Sequence, residues 1–204
     1  MMLNPYFFRE HPNFLSEPVI DAASRYCDHL IGSTDHVWTT NFGWQNAQGT
    51  DLMHPKAERY ENLVLVHKIY NSNRALYDNI LKDIQKVYPT WSPETVESMQ
   101  FFVWTGGSRI EWHKDFKRDD PTSTRIGAIT IYMNRNWEIE WGGDFLYKDK
   151  ESKVNRITPA YNKAVALTDV EHRSTTIQER RFRKCIQIFL KEDAPTLDND
   201  TNFC

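Results

Sequence analysis

Apolar residues recur every three to four positions in two stretches of the first half of the chain and at alternate positions through most of the second. The chain therefore reads as helices first and strands afterwards. Ser16 caps a helix whose first turn tolerates Pro18, and Val19, Ile20, Ala23, Cys27 and Leu30 share one face as far as Gly32. A second helix starts at the Asn71-Ser-Asn73 cap and carries Leu76, Ile80, Leu81, Ile84 and Val87 until Pro89 stops it. Its single apolar stripe suits a helix laid against a sheet. Between the two, residues 60–70 have the composition of a strand.

Beyond Pro93 the pattern becomes short β-segments separated by turn residues. Strands are expected at 98–104, 110–115, 125–133, 143–147, 156–158, 163–168, 172–178 and 183–190. So many short strands without helices between them predict a mainly β (α+β) fold, a sandwich or jelly-roll barrel rather than a parallel sheet. The 204 residues suit one domain: a helix-rich support region at 1–95, a jelly-roll core at 96–191 and a polar tail at 192–204.

Composition narrows the function by exclusion. A net charge of -3 gives no general attraction to nucleic acid or to an anionic membrane. The first 12 residues mix polar and aromatic types, and the longest aliphatic run is Leu63-Val-Leu-Val66, so a soluble, intracellular, cytoplasmic protein is expected. Cys27, Cys185 and Cys204 are far apart with no Cys-x-x-Cys pair, which argues against a disulfide framework or a thiolate zinc site. All three read as reduced bystanders.

The candidate chemistry lies in Arg109-Ile-Glu-Trp-His-Lys-Asp115 and in His172. In a strand, residues two apart share a face, so His113 and Asp115 can hold one ion and His172 can complete the set. Two imidazoles and one carboxylate leave open positions on a metal, the donor set of non-haem Fe(II) oxygenases. The His-x-Asp spacing alone is weak: 7 histidines and 15 aspartates in 204 residues give about half an occurrence by chance. His11, His29, His36, His54 and His67 lack comparable partners and read as surface or satisfied core residues.

Ordered elements strengthen the signal. Trp112-His-Lys-Asp115 is followed by Arg125-Ile-Gly-Ala-Ile-Thr-Ile-Tyr-Met-Asn134, Trp137, Trp141-Gly-Gly-Asp-Phe145, Pro159, Glu171-His172 and an arginine opening the last strand. From about Met99 to Leu190 the chain resembles the prolyl-4-hydroxylase-like branch of the 2-oxoglutarate and Fe(II)-dependent dioxygenases. The resemblance implies a double-stranded β-helix (jelly roll) with helices packed outside and iron held by His113, Asp115 and His172. It also implies 2-oxoglutarate as cosubstrate, its far carboxylate met by an arginine fork and by Tyr132. Arg183 is the choice for that arginine; Arg181 shares its parity if the strand starts early. Trp104 stands where relatives often carry a tyrosine that touches the cosubstrate.

The implied reaction takes O2 and 2-oxoglutarate, releases succinate and CO2, and hydroxylates a peptide or small molecule, with peptidyl proline favoured and ascorbate as an aid. Gly142 and Gly143 read as backbone geometry or close approach, and Asp144, where many members have glutamate, as a surface difference. Arg118, Asp119, Asp120 and Arg125 sit near the proposed mouth, either on a closing loop or on a solvated face. The alternative is a non-oxidative metal-binding jelly roll, a ligand-binding module or a zinc-type hydrolase. An interaction protein with an accidental triad is a further alternative.

Overall fold

A computed structural model describes residues 6–32, 39–40, 63–89, 91–115 and 125–191. In chain order its strands and helices are β1 (Phe7–His11), α1 (Glu17–Gly32), β2 (Thr39–Thr40), β3 (Leu63–Lys68), α2 (Ile69–Ser72), α3 (Arg74–Val87), β4 (Val96–Thr105), β5 (Ile110–His113), β6 (Arg125–Tyr132), β7 (Phe145–Lys148), β8 (Val154–Ile157), β9 (Ala164–Thr168), β10 (His172–Ser174) and β11 (Phe182–Lys191).

Both expected helices form where their apolar stripes and caps place them. Asn73 Oδ1 accepts the Leu76 N–H at 3.1 Å at the start of α3. The start of α1 is held from another helix: Ser16 donates its N–H and its hydroxyl to Asp83 Oδ2, at 2.8 and 2.5 Å. A carboxylate from α3 thus lies at the positive end of α1.

The strands form two antiparallel sheets. One has the order β1-β9-β6-β11-β4-β3-β2, the other β5-β10-β7-β8. Alternation along the strands of the larger sheet creates two apolar layers. On β11, Ile186, Ile188 and Leu190 join Ile129, Ile131 and Phe101 under Ile20, Cys27, Ile80 and Ile84 of the helices. Cys185 and Phe189 point the other way, into the space between the sheets, with Phe102, Trp104, Tyr132 and Phe145. This second layer holds the functional candidates, and the result is the jelly-roll-like fold that the patterning predicts.

Several boundaries differ from expectation. β1 has no clear alternation in Phe-Phe-Arg-Glu-His and is fixed by pairing along β9, from Phe7 opposite Thr168 to His11 opposite Ala164. The expected strand at 60–70 ends at Lys68 and turns into α2. That expected at 172–178 stops at Ser174, because the following residues turn to bring Ile177 beside Gly142. The strand expected at 110–115 stops at His113, leaving Asp115 in a bend just outside it. Residues 192–204, with Cys204, lie outside the described residues, as do His36, His54, Arg118, Asp119 and Asp120.

Candidate metal centre

The larger layer of strands and the smaller one meet around a cavity lined by His113, Asp115, His172, Tyr132, Trp104 and Arg183, among others. β5 and β10 are paired so that His113 lies opposite His172. Their ring centroids are 4.3 Å apart. Asp115 faces both: its Oδ1 is 3.6 Å from His113 Nε2 and its Oδ2 is 3.7 Å from His172 Nε2. These gaps are too long for good hydrogen bonds and suit one ion between the atoms. One ligand atom from each residue lies within 4.8 Å of the others.

Each imidazole is oriented in the same way. His113 Nδ1 lies 2.8 Å from the carbonyl of Glu111, and His172 Nδ1 lies 2.9 Å from that of Val170. A carbonyl only accepts, so both rings carry hydrogen on Nδ1 and turn the Nε2 lone pair toward Asp115. Phe145 stacks on His172 at 4.9 Å and limits its rotation. The pairing that places Asp115 is therefore not a shared strand face, as the spacing suggested, but a turn directly after β5 that brings the carboxylate back over both rings.

Electrostatics match this geometry. Burial, reinforced by the charge of His113, pushes His172 down to about 4, so it is neutral near pH 7. Burial disfavours charge on Asp115, but His172 and His113 outweigh it and hold the carboxyl at about 2. Burial also opposes charge on His113, and Asp115 reverses that effect and raises its pKa. An ionised carboxylate and imidazole nitrogens make a donor set that fits divalent iron.

Farther along the same cavity, Arg183 opens the inward-facing series on β11 and is 5% exposed. Its Nη1 donates to the Gly143 carbonyl at 2.6 Å, and its guanidinium lies 5.4 Å from the Trp104 ring centre. Its Nε is buried without a hydrogen-bond partner, and among the described residues no carboxylate pairs with it. A cation so placed calls for an anion. Tyr132 is 1% exposed, and burial drives its hydroxyl pKa upward, keeping it a neutral donor. Arg181 takes a different position: it is exposed and stacks on Trp141 at 3.8 Å.

The glycine pair builds the seat of Arg183. Gly142 and Gly143 have φ of +64° and +67°, and a Cβ on Gly143 would lie 3.2 Å from Arg183 Cδ. Asp144 is not a surface difference. It is 1% exposed, pairs with Arg156 at 2.5 Å, and its N–H bonds to Thr175 Oγ1, which ties β7 to β8 and to the loop after β10. Arg125 is engaged by both oxygens of Glu97 and lies over Phe189. Cys27 and Cys185 are free and buried. Of the other histidines, His11 bonds Tyr88 and His67 packs against Tyr26.

Sequence reasoning missed one polar pair in the cavity, Thr130 and Gln187, whose side chains are hydrogen-bonded at 2.6 Å. The signal was present, since both are polar residues at inward positions of otherwise apolar strands.

One cavity thus joins a His, Asp, His set to the buried guanidinium of Arg183, the donors of a metal site beside those of an anion site. Residues 99–191 match the model of the 2OG-Fe(II) oxygenase superfamily. That segment, a little under half of the 204 residues, is similar to the 2OG-Fe(II) oxygenase superfamily, and the fold around it is prolyl-4-hydroxylase-like. A Pseudomonas putida prolyl-4-hydroxylase is similar over 92% of this chain and 93% of its own, at 16% identity and a TM-score of 0.64. A Trichoplax adhaerens prolyl hydroxylase, solved with a hypoxia inducible factor peptide fragment, is similar over 91% of this chain and 84% of its own, at 15% identity and a TM-score of 0.67. A Burkholderia pseudomallei oxidoreductase of the 2OG-Fe(II) oxygenase family aligns over 93% and 87%, at 15% identity and a TM-score of 0.59. No curated protein matches the chain by sequence.

Proposed function

We propose that the protein is a hydroxylase that holds Fe(II) on His113, Asp115 and His172 and binds the far carboxylate of 2-oxoglutarate with Arg183 and Tyr132. The single observation that carries this reading is Arg183, a buried charge with an unbonded Nε in the same cavity as the triad. A zinc-type hydrolase has no use for such a clamp. When bound, iron and 2-oxoglutarate supply the oxidising chemistry, in which the cosubstrate becomes succinate and CO2 and one oxygen atom of O2 enters a C–H bond.

The chain's own residues place and protect. With Nη1 tied to Gly143, Arg183 offers Nε and Nη2, the adjacent donors of its side edge, to a carboxylate. Tyr132, uncharged, donates from its hydroxyl to the same group. Trp104, Phe102 and Phe145 line the cavity and keep water away from the reacting centre. Asp115 supplies negative charge, and the two imidazoles, fixed by backbone carbonyls, supply neutral nitrogen.

Peptidyl proline is the favoured acceptor, because the Trichoplax adhaerens relative was solved with a peptide. Ascorbate serves to restore the ferrous state. We place the protein in the cytoplasm, where Cys27 and Cys185 stay reduced; among the described residues no helix is long and apolar enough to cross a membrane. The test is anaerobic addition of Fe(II) and then 2-oxoglutarate. A visible charge-transfer band is expected, as is succinate release in air across a panel of proline peptides and metabolites. A folded protein that gives no band, or a band retained in His113→Ala and Asp115→Ala, would overturn the assignment.

A further inference from the structure

Beyond Arg183 and Tyr132, the wall formed by β6 and β11 presents one polar pair to the cavity. Thr130 and Gln187 are cross-strand partners, and the Thr130 hydroxyl donates to Gln187 Oε1 at 2.6 Å. With its oxygen engaged, Gln187 has its Nε2 amino group, with two N–H donors, left to present to the cavity.

Position along β11 decides what this donor meets. Arg183, Cys185, Gln187 and Phe189 all line the cavity, as alternate residues of one strand face. Arg183 is at the Gly143 and Trp104 end. Phe189, at the other, is level across the sheet with Ala128, Leu167 and Phe8, and Phe8 stacks at 3.8 Å on Tyr147, the cross-strand partner of His172. The series thus runs from the carboxylate clamp toward the metal ligands. At about 3.3 Å per residue, Gln187 lies about 13 Å along the strand from Arg183. A five-carbon diacid, with four C–C bonds of about 1.5 Å and a length of about 5 Å, fits between two side chains at that separation.

Resting on the reading of the site given above, we infer that Gln187, held by Thr130, is a specificity residue that donates from Nε2 to the carboxylate adjoining the keto group of 2-oxoglutarate. With metal and cosubstrate bound, that carboxylate would have one oxygen to offer the metal. Its second oxygen enters a largely apolar cavity, where an unmet charge is costly, and Gln187 supplies the donor. Thr130 acts through Gln187: by occupying Oε1 it sets which end of the carboxamide faces the ligand. The pair therefore selects 2-oxo acids over ketones that share the far carboxylate but lack the near one.

The test compares 2-oxoglutarate with 4-oxopentanoate, which keeps the far carboxylate and the ketone and has a methyl group in place of the near carboxylate. Affinities are measured by calorimetry on the Mn(II)-loaded protein, with no turnover. Gln187→Leu should weaken 2-oxoglutarate binding by about tenfold to thirtyfold, the loss expected for one hydrogen bond to a charged group. It should leave 4-oxopentanoate within about twofold, by the same measure. Gln187→Glu, which sets carboxylate against carboxylate, should weaken 2-oxoglutarate further. Thr130→Val should give a smaller loss that Thr130→Ser restores, and this pair carries the test if the Gln187 variants do not fold.

Equal weakening of both ligands would make Gln187 a structural residue and overturn the inference. So would unchanged 2-oxoglutarate affinity in Gln187→Leu while Arg183→Met loses binding. Absence of 2-oxoglutarate binding to the unmodified protein would instead overturn the hydroxylase reading beneath it.

Discussion

Arg183 is confined on three sides, by the Gly143 carbonyl, the Trp104 ring and the apolar layer between the sheets. Charge without the planar fork should therefore serve poorly. Arg183→Lys is expected to weaken 2-oxoglutarate about tenfold, and Arg183→Met about a hundredfold, the range for charge-assisted hydrogen bonds. Titration of the anaerobic charge-transfer band reads both. Arg181→Ala, at an exposed position on Trp141, should change the affinity by less than about twofold. The alternation that puts Arg183 on one face with Cys185, Gln187 and Phe189 was legible in the sequence, but Arg181 has the same parity, and only the start of β11 at Phe182 leaves it outside the strand. The route by which Asp115 reaches the histidines was not legible. A bend after His113 does what a shared strand face was expected to do, and nothing in Trp-His-Lys-Asp marks where β5 ends.

Among the elements, the turn before β7 and the edge strand β1 are the informative ones. A Cβ on Gly142 would lie 2.0 Å from the Thr176 carbonyl oxygen, at a φ of +64°. Gly142→Ala should therefore cost about 2 kcal/mol or more, seen as a lower urea midpoint. Gly32→Ala, with nothing within 4 Å, should be neutral or gain up to about 1 kcal/mol. The Gly-Gly motif announced some close approach, but not that its carbonyl would hold Arg183, since that partner is 40 residues away.

At β1, His11 Nε2 lies 2.7 Å from the Tyr88 hydroxyl. Burial, with help from Arg9, lowers its pKa from 6.5 to about 4. The unfolded chain then binds a proton more readily than the folded one between those values, so stability present above pH 6.5 is lost as the pH falls toward 4. Acid unfolding of His11→Gln should show a shallower fall over that interval than the unmodified chain; parallel curves would contradict the linkage. Edge strand β1 was invisible to periodicity because pairing with β9, not alternation, defines it.

For the whole molecule, the helices cover one face of the seven-stranded sheet and leave the other to enclose the site. That division was legible because apolar residues fill both faces of β4, β6 and β11, whereas a one-sided sheet would alternate with polar residues. The long-range register was not, since it rests on pairings such as His113 with His172 that lie 59 residues apart in sequence. The backbone carbonyls of Glu111 and Val170 have a further consequence. Because they anchor both imidazole rings, the rotational freedom that capturing an ion would otherwise consume is surrendered when the polypeptide folds. Chelator-treated protein should keep its far-ultraviolet dichroism, and adding Mn(II) at a hundred times its dissociation constant should raise stability by about 2.7 kcal/mol, as saturation of a ready-made receptor requires. Apoprotein of this design would wait for its cofactor already shaped to receive it, making supply of metal, rather than refolding, the step that governs how much enzyme is active.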